Sequence, residues 1–221
     1  MKYNYFLIGV FLLFVCCKDK NTEPKSVKVS ASQGCFVPKT NDKEWYTQNK
    51  KAPKFKGLDG VNFKITTNNP EAQEYFNQGM MLAYGFNHAE AARSFYEASR
   101  LDPNCAMAYW GFAYVLGPNY NAGMEEDNFQ RAYDAVQKAK KLSAKCSPKE
   151  VAMIDALSVR YAKNPPADRK PLDTAYAAAM KKVYLKFSSD PDVGALYAES
   201  LMNLHPWDLY EKDTEALKKW T

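Results

Sequence analysis

The sequence predicts an all-α protein in which pairs of antiparallel helices repeat along the chain. Two stretches that lie 88 residues apart match in register, and each begins at an Asp-Pro pair, Asp102-Pro103 and Asp190-Pro191, followed by a segment of helical length. Elsewhere apolar side chains recur with the period of a helix, as at Leu172, Tyr176, Met180, Val183 and Phe187. Because one hairpin cannot bury its own apolar face, such units stack on one another, and we expect this array over residues 61–221.

Residues 1–17 have the pattern of a bacterial secretory signal. Lys2 precedes a run of ten uncharged, mostly apolar residues, 6–15, that ends at Cys16 and Cys17. A membrane-spanning helix needs about 20 such residues, so the run predicts a cleaved signal and not a membrane span. The cysteines resemble the lipobox of bacterial lipoproteins. That resemblance implies a lipid on Cys17, or on Cys16, and an outer-membrane lipoprotein of the cell envelope that faces the periplasm or the cell surface. A cleaved signal with incidental cysteines, and a periplasmic protein, is the alternative.

The net charge of +5 lies outside the predicted helical domain. Residues 1–17 contribute +1, residues 18–60 contribute +5 and residues 61–221 contribute −1. A domain that binds nucleic acid needs a basic surface to neutralise phosphates, so we expect no nucleic-acid partner. Residues 18–60 show no apolar periodicity and mix Lys with Asn, Ser, Thr and Pro, which predicts a basic, disordered tether.

The first unit of the helical domain spans residues 72–105. Its repeating positions are Tyr75, Gly79, Leu82, Ala91, Phe95, Ala98 and Pro103. The small residues among them let two helices approach closely, and Tyr75 and Phe95 fill the space between the helices. Asn87, with Glu90 three residues later, predicts the start of the second helix.

Three further units follow at residues 106–147, 148–193 and 194–221. The second unit carries a loop rich in turn-forming residues between its two helices. The third opens with Ser147 and Glu150, which form a capping box, and has a proline at its first helical position. The fourth is incomplete, since its second helical pattern is unfinished and a solenoid ends in a polar capping element. We therefore expect the chain to be a fragment of a longer repeat protein.

These spacings are similar to those of the tetratricopeptide repeat (TPR), and residues 70–221 resemble TPR proteins of the bacterial cell envelope. The best-matching block runs from Asp102 to Gly111 and continues through Gly117 to Asn121. The resemblance implies a right-handed superhelix of helical hairpins that binds a protein or peptide, without catalysis and without a cofactor. Because one scaffold can carry unrelated sites, the function has to be argued from the site itself.

In this repeat class the first helix of each hairpin lines a concave groove, which gives the candidate partner-binding residues. They are Gln73, Phe76, Asn77, Met80 and Tyr84 from the first unit, Trp110 and Tyr114 from the second, and Ala198 and Met202 from the fourth. Rigid aromatic side chains and adaptable methionines suit an extended or helical peptide. Burial of several of these residues by a neighbouring helix or by residues 61–69 is the alternative.

A small-molecule, metal or enzyme site at the edge where the first helices end is the rival hypothesis. Its candidate residues are His88, Asn119, Tyr120 and Asn121, because stacking places His88 beside a long loop of the next unit. We expect no metal site, because His88 and His205 lie three units apart, and no catalytic residues, because no nucleophile-base arrangement is visible. Cys105 and Cys146 lie in similar turns of adjacent units, and we expect buried turn residues and not a disulfide.

Overall fold

The computed structural model describes residues 43–220. Over these residues the chain is helical, with eight α-helices, one 3₁₀ turn and no β-strand beyond isolated bridges, so the prediction of an all-α chain is confirmed for this part. The helices are α1 (Lys43–Thr47), α2 (Pro70–Tyr84), α3 (His88–Leu101), α4 (Ala106–Leu116), α5 (Asn128–Leu142), α6 (Pro148–Ser158), α7 (Lys170–Lys186) and α8 (Pro191–Met202). The predicted signal, Cys16 and Cys17, and the tether up to residue 42 lie outside the described residues.

From α2 onward, each helix packs against the next one along the chain. In addition, α2 contacts α4 and α4 contacts α6, so alternate helices also touch. No helix of the described part is both long and apolar enough to cross a membrane.

Helices α2, α3 and α4 meet at the ring of Phe95, which is fully buried. A Cβ atom at Gly79 of α2 would lie 2.7 Å from this ring, and one at Gly111 of α4 would lie 2.4 Å from it. Carbon atoms in well-packed interiors do not approach so closely, so both positions need glycine for the ring to fit. The small residue predicted at Gly79 thus has a matching partner on the next unit.

Side-chain caps fix where four of the helices begin. Asn87 caps α3, and Ser147 and Glu150 form both halves of the capping box of α6, as predicted. Asn69 and Asp190 cap α2 and α8 by accepting hydrogen bonds from backbone N–H groups of the first turn. Each cap satisfies donors that have no partner within the helix.

Residues 50–66, which we call the N-terminal strap, run along α2 and correct the predicted boundary of the tether at residue 60. Ala52 is buried, its N–H donates to Glu97 over 3.4 Å and its carbonyl accepts from the hydroxyl of Tyr75 over 2.7 Å. The backbone N–H of Phe55 donates to Gln78 over 2.8 Å. Side chains of α2 and α3 provide hydrogen-bond partners for backbone groups of the strap. Because these contacts involve the backbone, they leave no apolar periodicity in the sequence of the strap.

Candidate functional site

The predicted groove is filled by the protein itself at one end. Phe63 of the strap is fully buried, with its ring centre 5.5 Å from that of Phe76 and 6.4 Å from that of Trp110. Met80 is also fully buried, and the indole N–H of Trp110 donates to a backbone carbonyl of α6 over 3.2 Å. The alternative of burial by residues 61–69 and by a neighbouring helix is therefore correct for these side chains, and an open groove is wrong there.

The two predicted amides of α2 hold the strap in place. The N–H of Phe63 donates to Asn77 over 3.1 Å, and the N–H of Ile65 donates to Gln73 over 3.0 Å. Gln73 also donates to the carbonyl of Phe63 over 2.8 Å. These amides are engaged by the chain's own backbone and are not free for a partner.

The other end of this inner face contains polar atoms that are buried and have no hydrogen-bond partner among the described residues. They belong to residues of α2, α3, α7 and α8 and of the segments that follow α6 and α8. The atoms are the hydroxyls of Tyr84 and Tyr176, both ring nitrogens of His88, Nη1 of Arg160, Oε2 of Glu199 and Oδ1 of Asn203. We call these six residues, together with Tyr114 of α4, the buried polar cluster. Buried polar groups in folded proteins almost always find a partner, so seven such atoms in one region need a physical explanation.

Electrostatic interactions indicate that members of the cluster lie near one another. Tyr114 is fully enclosed and interacts electrostatically with Glu199, Tyr176, Tyr84 and Arg160. The aromatic ring of Tyr114 stacks on Trp110, with ring centres 5.3 Å apart. Side chains that are distant in sequence therefore share one interior region.

Arg160 is the cation of this cluster, and its guanidinium group is held in one orientation. Only 1% of its surface is exposed. Nη2 donates to the carbonyl of Pro118 over 2.8 Å and Nε pairs with Asp173 over 3.4 Å, while the guanidinium carbon lies 4.6 Å from the ring centre of Tyr176. A Cβ at Gly117 would lie 3.1 Å from Nη1, so glycine leaves the space that this side chain needs. Nη1 remains as a fixed donor without an acceptor.

Burial also shifts the pKa values of the cluster. It raises the pKa of the Tyr84, Tyr114 and Tyr176 hydroxyls, which therefore stay protonated at physiological pH. It raises the pKa of Glu199, a shift that Arg160 opposes. It lowers the pKa of His88, an effect that the nearby Val115 carbonyl opposes and Arg160 reinforces. Burial thus opposes charge on Glu199 and on His88, while the guanidinium of Arg160 stays charged.

The predicted loop residues of the rival site do not join His88. Asn119 accepts hydrogen bonds from the N–H groups of Asn121 and Ala122, over 2.9 and 3.1 Å, and so builds its own turn. Tyr120 packs against Trp207 with ring centres 5.3 Å apart. Within residues 43–220, no hydrogen bond or ring contact links these loop residues to His88. His88 is thus separated from the loop residues that were expected beside it, and its ring centre lies 6.0 Å from that of Phe86.

The cluster residues that the sequence does not predict are Arg160, Tyr176, Glu199 and Asn203. The apolar stripe of the sequence includes Tyr176, and its ring is buried as that pattern predicts. Arg160 offered a usable signal, since it lies three residues after the buried Leu157 and directly before the buried Tyr161, where a cation is out of place.

Comparison with protein-family models, with curated proteins and with solved structures found no match. Among the described residues, no group of three or more His, Cys, Asp or Glu is placed to hold a metal ion. Cys105 and Cys146 are free thiols, and burial raises their pKa to about 12 and about 11. The site therefore has to be interpreted from its own chemistry.

Proposed function

We propose that this protein binds a small polar molecule in the buried polar cluster of a TPR-like helical domain. The observation that carries the proposal is the set of buried polar atoms without a partner on Tyr84, Arg160, Tyr176 and Glu199, which come from different parts of the chain. A ligand that meets these atoms restores the hydrogen bonds that burial removed. Binding is proposed and not catalysis, and the protein is held at the bacterial cell envelope by the lipid predicted on Cys17 or Cys16.

Unmet hydrogen bonds at the cluster give a bound molecule a source of free energy. Leaving one buried donor or acceptor without a partner costs about 1–3 kcal/mol, and the cost is higher for a charged group such as Arg160. The net stability of a folded domain is only about 5–15 kcal/mol, so several such losses in one place are a large burden. A ligand whose groups complement the cluster recovers this free energy when it binds.

The helix contacts support the TPR-like arrangement. In a row of stacked hairpins each helix touches its sequence neighbours, and first helices touch first helices of the adjoining units. The contacts of α2 with α4 and of α4 with α6 follow this rule. We propose a right-handed superhelix whose inner face is occupied by the strap at one end and by the ligand at the other.

Binding of a protein or peptide is the second candidate, and the surface after α8 favours it. Several large apolar side chains are exposed at the end of α8 and in the segment after it: Leu201, Met202, Trp207, Tyr210, Leu217 and Trp220. The side chain of Trp207 is 76% exposed, and exposed apolar side chains close together in the chain favour an interaction surface. Met202 is the member of the predicted groove set that lies on this surface.

Native mass spectrometry and isothermal titration calorimetry of the full-length protein test the ligand-binding proposal. We expect one small molecule per chain, either retained through purification or found in a metabolite panel. Its affinity falls in Tyr176→Phe and is unchanged in Tyr210→Phe, a variant of an exposed tyrosine. No bound molecule in either experiment, or equal affinity in both variants, would refute the proposal.

A further inference from the structure

Arg160 offers one side of a ready-made carboxylate site. Two of its three guanidinium nitrogens already have partners, Nη2 with Pro118 and Nε with Asp173. The remaining Nη1 has N–H donors and a positive charge but no acceptor. Arginine pairs strongly with carboxylates through such charge-assisted hydrogen bonds. The hydroxyl of Tyr176, whose ring lies against the same guanidinium group, is a second unpartnered donor.

Acceptors without donors lie at another part of the cluster. Oε2 of Glu199 and Oδ1 of Asn203 are buried and unpartnered. The amide nitrogen of Asn203 donates to the other carboxylate oxygen of Glu199, which fixes the two side chains relative to each other. This pair accepts hydrogen bonds and therefore suits an N–H or O–H group of a ligand.

The two parts of the cluster do not pair directly with each other. Arg160 and Glu199 influence each other electrostatically. Among the ion pairs of residues 43–220, however, Arg160 pairs with Asp173 and not with Glu199. A buried guanidinium and a buried carboxyl group that do not contact each other lack the compensation that a direct pair provides. A ligand with an acidic group for Arg160 and a donor for Glu199 supplies that compensation.

We propose that the ligand is a small carboxylic acid that also carries a hydroxyl or amino group. Its carboxylate binds Nη1 of Arg160 and the Tyr176 hydroxyl, and its donor binds Glu199 and Asn203. A single carboxylate fits better than a phosphate, since Arg160 has one free nitrogen and a second negative charge would face Glu199. This ligand class rests on the proposed function, because it assumes that the cluster is a binding site.

Calorimetry on the full-length protein with matched probes tests the ligand class. Lactate and alanine carry both groups, propionate lacks the donor, ethanolamine lacks the carboxylate, and glycerol and inorganic phosphate serve as neutral and doubly charged probes. We expect lactate or alanine to bind about tenfold or more tightly than propionate, ethanolamine, glycerol and phosphate. Tighter binding of phosphate or of ethanolamine than of both bifunctional probes would overturn the proposal.

Two variants assign the groups. Glu199→Gln is expected to reduce the affinity for the bifunctional probe by about tenfold or more and to leave propionate binding unchanged, while Arg160→Lys reduces both. Glu126→Gln, at an exposed position, is the matched control for the loss of one carboxylate, and circular dichroism confirms that each variant folds. Equal effects of Glu199→Gln and Glu126→Gln would overturn the assignment.

Failure of the ligand class and failure of the proposed function are separable. If no carboxylate binds but native mass spectrometry finds another molecule that Tyr176→Phe releases, the ligand class is wrong and the proposed function stands. If no molecule of any class binds, both are wrong.

Discussion

Removal of one hydroxyl from the buried polar cluster is expected to make the ligand-free protein more stable. Tyr176 is 1% exposed, and its hydroxyl has no hydrogen-bond partner. The substitution Tyr176→Phe deletes this group and keeps the ring that packs 4.6 Å from the Arg160 guanidinium. A buried hydroxyl without a partner costs about 1–3 kcal/mol, so we expect the free energy of unfolding to rise by about 1–2 kcal/mol.

The assay is urea denaturation of the ligand-free protein, followed by circular dichroism, with a thermal melt as a second measurement. For a domain of this size each kcal/mol moves the melting temperature by about 2–4 °C. Tyr161→Phe is the matched control, because Tyr161 is equally enclosed but donates to the carbonyl of Ala113 over 2.6 Å. Loss of that hydrogen bond is expected to lower stability by about 0.5–1.5 kcal/mol.

The two variants are thus expected to shift stability in opposite directions. If Tyr176→Phe destabilises the protein as Tyr161→Phe does, the Tyr176 hydroxyl is satisfied in the ligand-free protein and the reasoning from unmet hydrogen bonds is refuted. If it stabilises the free protein and also weakens ligand binding, the hydroxyl is kept for binding at the expense of stability.

Three further predictions concern packing and titration. Gly111→Ala is expected to lower stability by about 1–3 kcal/mol in urea denaturation, because its Cβ would lie 2.4 Å from the Phe95 ring. Adding Phe95→Leu to the same chain is expected to restore part of that loss. Strictly additive losses of stability in the double variant would contradict this contact. Phe63→Ala is expected to lower stability by about 3–5 kcal/mol in the same assay, since the ring is fully buried, whereas an unchanged midpoint would mean that the strap is a loose tether. Burial lowers the pKa of His88 below its ordinary value of 6.5, so the unfolded state binds the proton first as the pH falls, and stability is expected to decline below about pH 6.5. A series of denaturation measurements over pH should show a smaller decline in His88→Gln. Equal declines in the two proteins would exclude His88 as the source.

Much of the helical architecture follows from local signals in the sequence. Asn87 and the Ser147-Glu150 pair are capping patterns that depend only on residues within one turn, and both caps form as predicted. Gly79 was predicted from the need for close helix packing, and the Phe95 ring gives the reason in atomic terms. Such features are predictable because each is decided by a few neighbouring residues.

The strap was not predictable in the same way. Its backbone N–H groups donate to Gln73, Asn77 and Gln78, which come later in the chain. Nothing in the sequence around these residues indicates that they bind a preceding segment. Composition alone makes residues 50–60 similar to a solvated spacer, because polar residues with prolines have that appearance whether or not a helix face lies beside them. Gln73 and Asn77 of the predicted groove set face the strap, and what covers a helix face depends on tertiary contacts.

The site escaped prediction for a related reason. Arg160, Tyr176 and Glu199 lie on or next to three different helices, and no spacing rule connects them. Only the packing of α6, α7 and α8 brings their unpartnered atoms into one region with Tyr84 and Tyr114. Three members of the cluster are among the residues that the sequence singles out: Tyr84 and Tyr114 in the groove set and His88 in the loop-edge set.

One face of α2 carries polar groups that have hydrogen-bond partners and one polar group that has none. Asn77 and Tyr84 are seven residues apart, which is close to two helical turns, so their side chains lie on one face of the helix. The Asn77 amide accepts from the strap backbone, and Gln73, one turn before it, does the same. The Tyr84 hydroxyl has no such partner, although it is buried. The strap is the element that satisfies the inner face, and it stops short of Tyr84. The Tyr84 hydroxyl lacks a partner of this kind, and under the proposed function the ligand meets it there, as the strap meets Gln73 and Asn77.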